Sequence, residues 1–276
     1  MIQFIKNRPL IPILCLLIMS IGCQKKYITG GKVQDTNEYS NTSTYDVLTK
    51  FSQFDTLVQI IDAAGFKDKI NQPNSTFFAP NNQAIYAYLQ ERTLLLQSTV
   101  NQYAQFTLDS LKYYLSNNID GTRDSLQMYL VSQALTSSDL NENGIQYPTQ
   151  LPGDSVIVSY EETFDPLLGY TDLVSTPPKV MYFAQMWKHF DLQHDTAANI
   201  PSSIGVRTLV KTAFIKTENG MIDVLATGSP LFFWGTRPLD IYSSQESYVG
   251  YDSTTHSVAY NNTGSTSAKP ITRIND

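Results

Sequence analysis

The apolar positions of this chain change period several times, and each change marks an element. Val47, Leu48 and Phe51, then Phe54, Leu57, Val58 and Ile61, recur at helical spacing over residues 45–65. Gly65 stands where a left-handed cap closes such a helix. Thr76, Phe77 and Phe78 suit a half-buried strand, which Pro80 must end because it has no N–H to donate. Asn81 or Asn82 then offers a side-chain oxygen to a new helix, whose Ala84, Ile85, Tyr88 and Leu89 share one face. Residues 83–118 read as largely helical, ending in an amphipathic helix around Leu108, Leu111, Tyr114 and Leu115. Residues 126–135 fit a strand or a short helix.

Strand signals dominate the second half. Val156, Ile157 and Val158 follow a turn over 147–153, and residues 180–184 fit a further strand. Val206, Leu209 and Val210, then Ala213, Phe214 and Ile215, fit strands that Glu218-Asn219-Gly220 turns back into 221–225. The Asn-Gly pair predicts a two-residue hairpin of type I′, with positive φ at both central residues.

Residues 74–85 resemble the first signature motif of the fasciclin domain, "TxFAPTNxAF". Thr76, Phe78, Ala79, Pro80, Asn82 and Ala84 match it, with Asn81 where Thr is usual and Ile85 where Phe is usual. Tyr113 and Tyr114 resemble the family's Tyr-His segment, with Tyr114 where the structural His is usual. Residues 147–153 resemble its Thr-Leu-x-Gly turn. Asn219, Gly220 and Ile222 match the second motif, "NGxIHxI", in which Asp223 replaces the His. The resemblance covers roughly residues 44–234. It implies an α+β fold, a wedge of twisted strands with helices packed on one side, and non-catalytic work in adhesion. Animal fasciclin domains can bind integrins through an Asp-Ile pair before the second motif. Here Phe214-Ile215 stands at that place, so that mechanism does not carry over. Residues 159–203 exceed what such a domain needs and read as a surface insertion, where specific function often resides.

The N-terminus changes the picture of where the protein works. Lys6 and Arg8 precede an apolar run over 10–21 that is too short to span a bilayer comfortably. The run ends in Gly22-Cys23, which resembles a bacterial lipobox and implies cleavage before Cys23 and acylation of that Cys. Cleavage removes Lys6 and Arg8 and takes the formal charge from −6 to −8. It also removes Cys15, which leaves no cysteine for a disulfide or a thiolate metal site. Residues 1–22 are thus a signal peptide and 23–43 a polar tether. Residues 44–236 form the domain. Residues 237–276 form a Tyr/Ser/Thr-rich tail in which Ile241, Tyr242, Tyr248, Val249, Tyr251, Val258 and Tyr260 suit a hairpin. The expected location is the outer membrane. The sequence after Cys23 lacks the acidic run that, in some lipoproteins of the Bacteroidetes type, resembles a surface-export signal, so surface and periplasmic orientation both stay open.

Candidate chemistry is sparse. An acidic chain does not suit nucleic acid. His189 and His194, with Asp191 and Asp195, are spaced wrongly for one helical face and predict a solvated loop rather than a metal site. Three histidines outside any motif and no phosphate loop give neither an enzyme nor a cofactor. Glu161 and Glu162 would point to opposite faces of a strand. The surplus is aromatic, with 17 Tyr and 13 Phe. Tyr182, Phe183, Trp187 and Phe190 are the candidate partner-binding residues, and Phe232, Phe233 and Trp234 follow the second motif. The expected partner is a protein, in adhesion or matrix association, or else a glycan, in an accessory role to polysaccharide uptake, with the membrane engaged through the lipid anchor.

Overall fold

The computed structural model describes residues 37–173 and 175–236, and the backbone of 250–252 and 257–259. The expected signal peptide, Cys23, the first part of the expected tether and most of residues 237–276 lie outside the described residues. The fold is α+β: short helices, mostly in the first half, pack against one mixed seven-stranded sheet.

Helix α1 (Thr44–Thr49) is capped by Ser43, whose side chain accepts from the Asp46 N–H. Helix α2 (Asp55–Ala64) ends at Gly65 in the left-handed conformation, as its position predicts. Helix α3 (Lys67–Ile70) leads to strand β1 (Ser75–Ala79), which is buried along its whole length. The strand stops before Pro80, and Asn81 caps helix α4 (Asn82–Thr99) by accepting from the N–H groups of Gln83 and Ala84. Asn82 does a different job. Its carboxamide accepts from the Thr56 N–H and donates to the Ser52 carbonyl, fastening α4 to the start of α2. Both asparagines are therefore used. Asn81→Ala is expected to cost about 1–2 kcal/mol, measured by urea unfolding, since it removes the cap and the bond from Asn81 Nδ2 to the Leu225 carbonyl.

The helical stretch breaks over residues 100–107 and resumes as α5 (Leu108–Asn117), capped by Thr107. After α6 (Thr122–Ser125), residues 126–135 resolve into both candidate forms, a 3-10 turn over Leu126–Tyr129 and then strand β2 (Leu130–Val131). The remaining strands are β3 (Ile145–Pro148), β4 (Ser155–Glu162), β5 (Lys179–Met186), β6 (Gly205–Lys216) and β7 (Gly220–Leu225). Their order is β2-β1-β7-β6-β5-β4-β3. Only β1 and β7 run parallel, with Ser75 opposite Gly220 and Phe78 opposite Asp223. Strands β8 (Gly250–Asp252) and β9 (Ser257–Ala259) pair antiparallel in a separate ribbon.

Strand alternation sorts the side chains. Val156, Val158, Met181, Phe183 and Val210 enter the main core with the helices. On the other face, Ile157, Ala184 and Met186 are covered by the 187–204 segment through Ala197, Phe190, Leu192, Ile200 and Ile204.

Two expectations need correction. Residues 179–186 are not a surface addition, because β5 is hydrogen-bonded to β4 on one side and β6 on the other. Nor is Asn219-Gly220 a type I′ turn, since neither residue has positive φ. Three residues, 217–219, connect β6 to β7. The Thr217 hydroxyl accepts from the Gly220 N–H, and the Asn219 carbonyl accepts from Asn74 N. Gly220 is small for another reason: a Cβ there would lie 1.9 Å from the Ser75 carbonyl oxygen of β1.

Candidate functional site

The motif residues converge on the parallel β1–β7 seam. Thr76 Oγ1 donates to the Gln133 carbonyl and accepts from the Leu135 N–H, tying the chain beyond β2 to β1. Phe78 packs on Phe183 with ring centroids 4.6 Å apart, and Ala79, Pro80 and Ile222 are buried beside it. Asn219 Oδ1 accepts from the Thr44 N–H, which fastens the β6–β7 connection to α1. All of these contacts are structural.

Asp223 stands where the second motif has His. It is fully buried, and its Oδ1 accepts from the Phe214 N–H at 2.6 Å. Phe214 has φ of 62° in an irregular stretch of β6, a conformation that costs an L-residue roughly 1–2 kcal/mol. The carboxyl thus holds the backbone at a strained point. Burial pushes its pKa up to about 7. Tyr129 serves Phe232 in the same way: its buried hydroxyl accepts from the N–H of that residue, whose φ is 61°.

Arg92 is a buried cation that sequence reading did not single out. The faces of Phe106, Trp234, Tyr114 and Tyr88 surround its guanidinium at 4.6, 4.8, 5.5 and 5.8 Å. It also donates to the Tyr88 hydroxyl at 3.2 Å. Ring quadrupoles and that hydroxyl stand in for lost water. Burial raises the Tyr114 hydroxyl and the Asp120 carboxyl, and Arg92 partly offsets both shifts. Tyr114, at the family's His position, is therefore part of a clamp that joins α4, α5 and the 231–236 turn. Tyr113, its neighbour on α5, faces solvent. The available signal was Arg92 four residues after Tyr88, on the buried side of α4.

The four candidate binding aromatics do not form one surface. Phe183 and Trp187 are interior, which corrects their assignment as partner contacts. Strand alternation puts Phe183 on the core face, and the Trp187 indole donates to the Ser203 carbonyl. Phe190, within the 187–204 segment, packs half-buried against the Ile157, Ala184 and Met186 face of the sheet. Tyr182 lies on the outer face, but the Arg207 guanidinium covers its ring at 3.4 Å. Arg207 is in turn ion-paired to Glu161, which accepts from the Ser159 hydroxyl. Phe232, Phe233 and Trp234 are also core. His194 and Asp191 bond to each other at 2.7 Å on an exposed turn. Among the described residues no group of His, Cys, Asp and Glu is placed to hold a metal.

What the surface offers instead is the connection after β4. Thr163 N donates to the Pro178 carbonyl at its base. Asp165 caps a 3-10 turn over Pro166–Leu168, which Gly169 ends in the left-handed conformation. Phe164 and Tyr170 pack edge-on at 5.2 Å. The connection holds apolar side chains in water: Phe164 is 64% exposed, Leu167 93% and Leu173 96%. Sequence reading placed function in 159–203 but chose the aromatics Tyr182, Phe183, Trp187 and Phe190 rather than these residues.

No curated protein matches the chain. Among solved structures it is similar to a FAS1 domain pair from the insect cell adhesion molecule fasciclin I, at 15% identity and a TM-score of 0.40. The similarity covers 67% of this chain and 49% of that one, so the chain spans about half the length of that structure. Residues 52–165 match the fasciclin domain family, and that stretch contains the β1–α4 corner, Arg92 with its rings Tyr88, Phe106 and Tyr114, and strands β1 to β4. A fasciclin domain is present in this chain.

Proposed function

We propose that this is a lipid-anchored protein of a bacterial outer membrane whose fasciclin domain mediates adhesion or protein interaction without catalysis. The fasciclin domain at residues 52–165 is the observation that supports it. The polar groups that a catalytic reading would need are taken up in holding the fold, as with Arg92, Asp223 and Thr76. The anchor rests on the apolar run over 10–21 and the Gly22-Cys23 pair. The glycan alternative drew on the aromatics near β5, and their burial, or cover by Arg207, takes away that support. Beads coated with the processed chain should attach to surfaces carrying matrix protein or the chain itself, and free sugars should not compete. Specific binding on a glycan array, with no attachment to protein, overturns this in favour of the glycan reading. For the anchor, Cys23→Ser should move the protein from the membrane to the soluble fraction. Unchanged membrane partition with no acyl chain on Cys23 refutes it.

A further inference from the structure

We infer that the 163–173 turn is a second membrane contact, dipping Phe164, Leu167 and Leu173 into the lipid surface to which the chain is anchored. This rests on the proposed anchor at Cys23. Three observations carry it. The first is exposure of large apolar side chains: Asp165 and Gly169 fix the turn that carries Leu167 beside Phe164, and the Thr163–Pro178 bond closes the base of the connection that also carries Leu173. Three large apolar side chains set in water within ten residues of one connection are an apolar group that a partner phase can take up.

The second is topology. The C-terminal end of β4, the N-terminal end of β5, the C-terminal end of β6 and the N-terminal ends of β7 and β1 lie at one end of the sheet. The 163–173 turn leaves from that end. The chain also enters there, where Tyr39 bridges Thr217 and the Thr42 carbonyl accepts from Glu218 N. Roughly sixteen residues separate Cys23 from Tyr39, a reach of at most about 55 Å. An anchor at Cys23 therefore leaves the end of the sheet bearing the apolar turn within reach of the bilayer.

The third is chemistry. The turn carries Leu and Phe with Asp165 and Asp172 beside them and no basic residue between 163 and 173. Apolar side chains enter the headgroup boundary while charged neighbours stay in water. The acids disfavour a strongly anionic surface, so the expected surface is a zwitterionic one.

The test separates this contact from acylation. The processed chain, with Cys23→Ser and an N-terminal hexahistidine, is tethered by a metal-chelating lipid to phosphatidylcholine vesicles. An environment-sensitive fluorophore is placed at Leu167→Cys, or at Leu173→Cys as a second position. The control is Gln193→Cys, exposed on the segment at the opposite end of the sheet. These side chains are solvent-facing, so labelling leaves the fold intact. The expected result is a blue shift on tethering at 167 and 173 and none at 193. Labels at 167 and 173 that stay in water overturn the proposal, as they would if the turn docks on a protein. A shift at all three positions also overturns it, since the domain then lies on lipid without a defined face. The artificial tether makes these readings independent of whether Cys23 is acylated in the cell.

Discussion

Gly220→Val is expected to be among the most damaging single substitutions in the domain, lowering stability by about 3 kcal/mol or more, at the upper end of overpacking costs. The backbone of Gly220 is not left-handed, so the obstacle is contact rather than φ. A Cβ on Gly220 would lie 1.9 Å from the Ser75 carbonyl oxygen and 2.9 Å from its carbon. Those atoms belong to β1, the strand paired in parallel with β7 at the Gly220–Ser75 register. Relief requires the seam to open, and the seam carries Thr76, Phe77 and Phe78 into the core. Gly220→Ala separates this reason from turn strain, because the offending atom is the Cβ itself and alanine already has it. Asn219→Gly should do much less, losing the long 3.3 Å bond to the Thr44 N–H, worth about 0.5–1.5 kcal/mol. Urea unfolding of the three variants decides it. An unmoved midpoint for Gly220→Val would mean that β1 and β7 do not approach this closely.

The Asn-Gly pair shows where sequence reading succeeds and where it stops. It locates the reversal between β6 and β7, because few residues other than Asn and Gly turn a chain so tightly. It misassigns the cause, because the atom that excludes a side chain at Gly220 comes from Ser75, far away in the chain. The β1–α4 corner was legible for the opposite reason. Pro80, Asn81, Ile85 and Tyr88 act through neighbours within a turn or two of helix, so spacing alone exposes the strand stop, the cap and the buried face. Arg92 was not legible. A charged residue on a helix reads as solvated, and three of the four rings that enclose it, Phe106, Tyr114 and Trp234, come from outside its helix. The grouping of Tyr182 with Phe183 ignored what a strand does to adjacent residues. Once residues 179–186 are a strand paired on both sides, one of the two must be interior. The apolar tips at Leu167 and Leu173 were on the page as letters. Only the fold shows that nothing among the described residues covers them.

Between pH 8 and pH 5 the domain is expected to become more stable, and Asp223→Asn should remove most of that slope. In the folded protein burial raises the Asp223 pKa from 3.8 to about 7, while one hydrogen bond from Phe214 N opposes the shift. Among the described residues its Oδ2 has no hydrogen-bond partner, so the buried ionised form lacks compensation. The unfolded chain releases the proton near pH 4, whereas the folded chain keeps it to about pH 7. The folded state therefore binds more protons across this window, and stability falls as pH rises through it. The contribution is fully present below about pH 4 and lost above about pH 7. Its full size is on the order of 4 kcal/mol. Asp154 acts in the same direction over a narrower range. It is held by Thr149 and Gln185, and burial raises its pKa to about 6. Asn at 223 keeps an oxygen for the Phe214 N–H and carries no charge. At pH 8 the Asn variant should be more stable than the parent by a few kcal/mol, and near pH 4 that advantage should vanish. Chemical unfolding at pH 5, 6, 7 and 8 measures both slopes. A flat profile for the parent, or an unchanged slope in the variant, would show that Asp223 is not the group that holds the β6 irregularity in its neutral form.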